Sequence, residues 1–333
     1  MTISWKKENH GLCGLINMGN TCYMNSIFQI LLHHDLFVNY FLSERVEKDI
    51  EEERKESMVV REFNRLAKGY WSFDKYHQIK PLTIIKTLWQ MNPMFHPYKQ
   101  NDAQEFLTFL LDSIHVGVQH PVRIKLKQKS KNLTPIINKA VNHWKEFFGD
   151  KYSELVSLYY FQMRTTIECP NGHQSISFNP SSILSIDITG KSLSTCLKKH
   201  FGKEDLEYKC ETCSEKHSTK QEIIQYLSEY LFIQLKRFQY TQNGVRKVFD
   251  MVEYPENLDL SEFVDVSVDK HHRKYKLDGM VLHQGGPDSG HYHSYQKHNN
   301  EWYKFNDENI TKITNNEQIL NIRDVYLLVY KKI

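Results

Sequence analysis

The spacing of apolar residues changes near residue 120, and that change limits the possible folds more than any other feature of the sequence. Before it, apolar residues recur at helical intervals, as with Met24, Ile27, Phe28 and Leu31, which stand at i, i+3, i+4 and i+7. Pro81, Pro93 and Pro97 punctuate this half, since proline ends or interrupts a helix. "SERVEKDIEEERKESMVVREFNRLAKGYW" mixes both charges at helical spacings and predicts a solvated helix or helix pair. After residue 120 come "LSEYLFIQLKRFQY", "YKLDGMVLH", "GHYHSYQK", "EWYKFND" and "DVYLLVYKK", short aromatic and aliphatic runs parted by turn residues that read as strands. A helical lobe followed by a sheet lobe is an α+β arrangement, and the cleft between such lobes is the default place for a site.

Within the helical half, the strongest candidate for chemistry is Cys22 in "GLINMGNTCYMNSIFQILLHH". The spacing predicts an amphipathic helix capped by Asn20 or Thr21, with Cys22 in its first turn. Unpaired N–H groups and the positive end of the helix dipole favour an anion there, and thiolate is the nucleophilic form of cysteine. A buried structural thiol fits the same pattern, so a nucleophile also requires a base.

The segment "HQGGPDSGHYHSYQKHNNEWYKFNDENIT" offers one, reading as a glycine-rich loop followed by a hairpin. A two-residue turn at His298 and Asn299 sets His291 opposite Asn306. A turn at Asn299 and Asn300 shifts the partner by two positions and leaves both side chains on one face. Asp307 is then expected to point away. An amide oxygen on Asn306 can hold the His291 ring and leave its other nitrogen to take a proton from a thiol. His293 shares that face and His283 precedes the loop, so histidine alone does not decide the assignment.

Taken in order, "GLINMGNTCYMNSIFQIL", "QNDAQEFLTFLLDSIH", "LFIQLKRF" and "YKLDGMVLHQGGPDSGHYHSY", with "WYKFNDENI" closing the series, resemble the signature boxes of the ubiquitin-specific protease family from about Gly11 to Tyr330. The resemblance implies a papain-like catalytic domain of thumb, palm and fingers over 11–333, after an N-terminal tail at 1–10. The thumb is expected at about 11–120, the fingers at about 155–245 and the palm sheet mainly at 246–333, with 121–154 connecting. By motif position Cys22 is the nucleophile, His291 the base and acid, Asn306 the third member and Asn17 the oxyanion-hole side chain. Asp102 and Glu105 match acidic residues that grip the arginine-bearing tail of ubiquitin, although Asp followed three residues later by Glu is also a capping box. Gly290, with Gly285 and Gly286, lets a loop approach that tail closely or open as a gate. The implied activity is hydrolysis of the isopeptide bond after the C-terminal glycine of ubiquitin. A ubiquitin-binding pseudoenzyme is the alternative.

The family pattern also expects two Cys-x-x-Cys knuckles that hold zinc. Cys210 and Cys213 form one; in the other, Cys169 is followed by Gly172 and His173. A Cys-x-x-x-His knuckle is sound zinc chemistry, so Cys169, His173, Cys210 and Cys213 are the expected ligands, with His217 the other candidate for the fourth place. The zinc is expected to be structural, and no organic cofactor is expected. Ubiquitin and ubiquitinated proteins are the expected partners of a monomeric chain.

Composition removes the rival classes. A net charge of +3 on 333 residues is no nucleic-acid signature, and the basic "VRIKLKQKSKNL" alternates like a strand or exposed loop, so no nucleic acid is expected. No run approaches the roughly 18 apolar residues of a membrane span, and "MTISWKKENHGLCGL" lacks the apolar core of a signal peptide. Six unevenly spaced cysteines do not make a disulfide scaffold. The expectation is an intracellular protein of the cytoplasm or nucleus.

Overall fold

The computed structural model describes residues 10–72, 77–123, 134–242, 244–267, 272–287 and 289–333. The expected tail falls almost wholly outside these residues, as does most of the basic stretch. Among the described residues, no helix is long and apolar enough to cross a membrane.

The helical lobe runs through β1 (Gly14–Leu15), α1 (Cys22–Leu31), α2 (Asp35–Leu42), α3 (Arg45–Asp49), α4 (Ser57–Ser72), β2 (Gln78–Ile79), α5 (Leu82–Met91) and α6 (Ala103–Val118). The mixed-charge stretch forms the pair α3 and α4, tied by Lys68 to Glu47 at 2.6 Å, an exposed ion pair worth little. The structure corrects the expectation of an amphipathic α1: all ten of its residues are buried. The helix lies between α6 and the large sheet, so its polar positions face protein and find partners there. Gln29 Nε2 donates to the Cys13 carbonyl at 2.8 Å, and Gln29 Oε1 accepts from the Tyr70 hydroxyl at 2.6 Å. Left unmade, such buried bonds would cost about 1–3 kcal/mol each.

Helices α7 (Pro135–Phe148) and α8 (Glu154–Tyr159) lead into β3 (Phe161–Glu168), β4 (Gln174–Ser181), β5 (Ile183–Asp187), α9 (Leu193–His200), β6 (Glu204–Glu207), β7 (His217–Tyr226) and β8 (Tyr230–Lys236). Then follow β9 (Phe238–Thr241), β10 (Gly244–Lys247), β11 (Asn257–Asp259), β12 (Lys274–Gly285), β13 (Gly290–His298), β14 (Glu301–Asn306), β15 (Asn309–Ile313) and β16 (Val325–Lys332). A four-stranded sheet, β4-β3-β7-β6, stands where fingers were expected, and the large sheet runs β15-β14-β13-β12-β16-β8-β5 with β11 against β12. The stretch 155–245 thus supplies both sheets, because β5 and β8 join the large one.

Period-two alternation divides the strands of the large sheet between two cores. On β8, Tyr230 and Phe232 face the core shared with the helices, whereas Leu231, Ile233 and Leu235 face a second core under α9 and β11. A strand covered on both faces reads as a continuous apolar run, as "YLFIQL" does. The β13–β14 hairpin turns at Asn299 and Asn300, whose φ values are 50° and 66°. Positive φ at both central residues is the two-residue turn that suits strand twist, so the second of the two turns considered above is the one formed.

Candidate active site

Cys22 is the first residue of α1, and 5% of it is exposed. Thr21 occupies the cap position without capping the helix through its side chain; its hydroxyl accepts instead from Met18 N at 2.9 Å. The loop before the cysteine is organised by Asn17, whose Oδ1 accepts from Gly19 N at 3.0 Å and Thr21 N at 3.1 Å. From the sheet side, Tyr292 N donates to Cys22 Sγ at 3.5 Å.

His291 stands on β13 beside that sulfur. Its Nε2 donates to Asn306 Oδ1 at 2.5 Å. An amide oxygen only accepts, so this bond fixes the proton on Nε2 and leaves Nδ1 for the thiol. The hydrogen bond with Cys22 is the main cause that pushes His291 up to about 9; burial opposes it, and Asn306 and the Asp307 charge assist. The two rival histidines behave differently. Burial, then Lys247, pushes His283 down to about 4, and burial, then Lys304, pushes His293 down to about 3. Of the three, His291 alone is held protonated at neutral pH.

Asp307 does not point away, contrary to the strand parity. Strand β14 ends at Asn306, and Asp307 has φ 51°, a left-handed conformation that Asp tolerates better than most residues. The alternation stops there. Its carboxylate turns back to accept from Asn17 Nδ2 at 2.9 Å and Asn25 Nδ2 at 2.8 Å, and lies 3.9 Å from His291 Nε2.

A cleft of about 210 Å³ leads to Cys22, lined by Gln100, Asp102, Glu105, Gly290 and Tyr292 among others. Asp102 caps α6, accepting from Gln104 N at 2.7 Å and Glu105 N at 3.2 Å. Its other oxygen is not free either, because the Tyr326 hydroxyl on β16 lies 2.6 Å from Oδ2. Asp102 therefore fastens the helical lobe to the sheet, and burial raises its carboxyl above the usual range. Glu105 is exposed and is raised by partial burial and then by the Asp102 charge. Gly290 admits no larger residue, because a Cβ there would collide with the His283 ring at Nε2.

At the end of the small sheet, ligand atoms of Cys169, His173, Cys210 and Cys213 lie within 4.8 Å of one another. Cys169 and His173 bracket the β3–β4 turn, and Cys210 and Cys213 lie between β6 and β7. His217 opens β7 opposite Glu207 and is outside the group. Four Zn ligands at tetrahedral angles, with Zn–S about 2.3 Å and Zn–N about 2.0 Å, set S–S edges of about 3.8 Å and S–N edges of about 3.5 Å. Cys169 Sγ lies 3.8 Å from Cys213 Sγ and 3.5 Å from His173 Nδ1. The donor set and its spacing can hold a zinc ion.

The family model for ubiquitin carboxyl-terminal hydrolase matches residues 13–330. The chain belongs to the ubiquitin carboxyl-terminal hydrolase family. It is 31% identical to human ubiquitin carboxyl-terminal hydrolase 2 over 343 residues, covering 98% of this chain and 56% of that protein. It is 30% identical to Usp2 of Drosophila melanogaster, covering 98% of this chain and 35% of the relative. The chain thus spans about half or less of the length of these two relatives. Among solved structures, it resembles a SAGA DUB module of Ubp8, Sgf11, Sus1 and Sgf73 bound to monoubiquitin, with TM-score 0.76 and 27% identity over 97% of this chain and 69% of that one. A related module bound to ubiquitin aldehyde gives the same TM-score.

At this site, sequence reasoning missed the contacts of Asp307, Asn25, Tyr326 and Gln100.

Proposed function

We propose that the chain is a cysteine-type deubiquitinase that hydrolyses the bond between the C-terminal glycine of ubiquitin and a lysine amine. The observation that carries this reading is the His291 ring, held by Asn306 and hydrogen-bonded to Cys22, which lines the cleft. A sulfur paired with an imidazolium attacks as an anion. Negative charge then develops on the carbonyl oxygen, where the second N–H of Asn17 Nδ2 is a donor already oriented by its other bonds. Removing one such donor costs about 10²–10³ in rate. His291 gives its proton to the leaving amine and later takes one from the water that releases the acyl group. Glu105, with Asp102 behind it, meets the arginines of the ubiquitin tail. The six free cysteines accord with a reducing compartment in the cytoplasm or nucleus.

The test is incubation with a ubiquitin C-terminal fluorogenic amide and a thiol-reactive ubiquitin probe. Turnover is expected. Binding without turnover would instead indicate a pseudoenzyme.

His291 also sets a pH limit. With its ring held up at about 9, kcat/KM is expected to fall as pH rises through that region, because the general acid is lost. Asn306 stabilises the protonated ring, so Asn306→Ala should move this alkaline limb to lower pH. A limb that stays in place in a pH–rate profile would mean that Asn306 does not act on His291.

Cys169, His173, Cys210 and Cys213 would hold one structural zinc at the end of the small sheet. An ion held by four protein ligands would support folding rather than chemistry. Elemental analysis should find close to one zinc per chain, falling in His173→Ala and unchanged in His217→Ala, and chelation should lower Tm. A metal-free protein of equal Tm would overturn this site.

A further inference from the structure

A hydrogen-bonded bridge joins two residues that line the cleft with Cys22. Gln100 Nε2 donates to the Gly290 carbonyl at 3.2 Å, and Gly290 N donates to Gln100 Oε1 at 3.3 Å. One side-chain amide thus meets both backbone groups of one residue, as a neighbouring peptide strand would. The two residues, 190 positions apart in the chain, both line the cleft that leads to Cys22, and Gly290 is bonded directly to His291 in the chain.

The two ends of the bridge differ in freedom. Gly290 sits over His283 with no room for a side chain. The end of β12, paired with it at Gly285, is pinned by Lys247, whose buried Nζ donates to the carbonyls of His283 at 2.6 Å and Gly285 at 2.9 Å. Gln100 is exposed, on a flexible side chain whose bonds water can replace. The bridge therefore opens by movement of Gln100.

We propose that Gln100 gates the cleft: without substrate its carboxamide occupies the Gly290 N–H and C=O, and the terminal peptide units of the substrate displace it. The identity of that peptide as the ubiquitin tail rests on the function proposed above, whereas the gate itself rests on the bridge. A glycine-rich peptide end fits this role, since its backbone can approach Gly290 without side chains in the way. Exposed hydrogen bonds add little net stability, so the gate is shallow and slows entry without forbidding it.

The test measures Cys22 alkylation by iodoacetamide, read by mass spectrometry of the peptide that carries it, together with KM and kcat on the ubiquitin amide. In Gln100→Ala, alkylation should quicken by about 3- to 10-fold, the worth of one exposed hydrogen-bond pair, and KM should fall. Gln100→Asn, too short to span the cleft, should behave like the alanine variant. An unchanged alkylation rate in both variants overturns the gate, and a raised KM beside it would make Gln100 a substrate contact instead. Faster alkylation in a protein that does not turn over ubiquitin would keep the gate and remove the ubiquitin reading.

Discussion

Cys22→Ala is expected to abolish hydrolysis of the ubiquitin amide, a loss of roughly a millionfold, while ubiquitin still binds. The sulfur lines the cleft, with the His291 ring hydrogen-bonded to it and the Tyr292 N–H directed at it. Truncation removes one nearly buried atom and leaves the walls of the cleft, including Glu105 and Gly290, unchanged. Affinity for ubiquitin should therefore stay close to that of the unaltered chain, as titration with labelled ubiquitin would show, while labelling by the thiol-reactive probe disappears. Continued turnover would move the nucleophile elsewhere, yet Cys13 is a poor substitute. It is fully buried, and its thiol donates to the Tyr70 carbonyl at 3.4 Å.

Patterns of short range were legible before any coordinates. The helix start at Cys22, the Asp102 cap and the shared face of His291 and Asn306 each follow from a few neighbouring residues and a fixed period. Parity failed one residue later, at Asp307, because alternation holds only while the strand lasts and the turn begins there. Contacts between distant segments left no such trace. Tyr326 and Asp102 are 224 positions apart and Gln100 and Gly290 are 190 apart, and nothing local to tyrosine or glutamine announces such a partner. The burial of α1 on every side escaped for the same reason. Its spacing marks an apolar face, but only the packed lobes show that the polar face is covered as well.

Asp307→Ala is expected to lower kcat at least as far as Asn306→Ala, by about 10²–10⁴-fold. Asn306 orients the ring through one amide oxygen. Asp307 does more, because its carboxylate holds Asn17 and Asn25 at once and its charge favours the protonated ring from 3.9 Å. Without it the Asn17 carboxamide keeps its loop contacts through Oδ1 but loses the bond that orients its N–H groups. The oxyanion donor and the general acid then weaken together. The Asn25 amide still reaches the Leu15 carbonyl at 3.0 Å, so the loss of stability should be moderate, about 1–3 kcal/mol for buried donors left without a partner. The alkaline limb of kcat/KM should also move to lower pH, a shift that a purely structural anchor would not cause. The decisive comparison is kcat for the two variants below their melting transitions. If Asn306→Ala loses tenfold more than Asp307→Ala, the carboxylate only fastens the loop, and the amide alone orients His291.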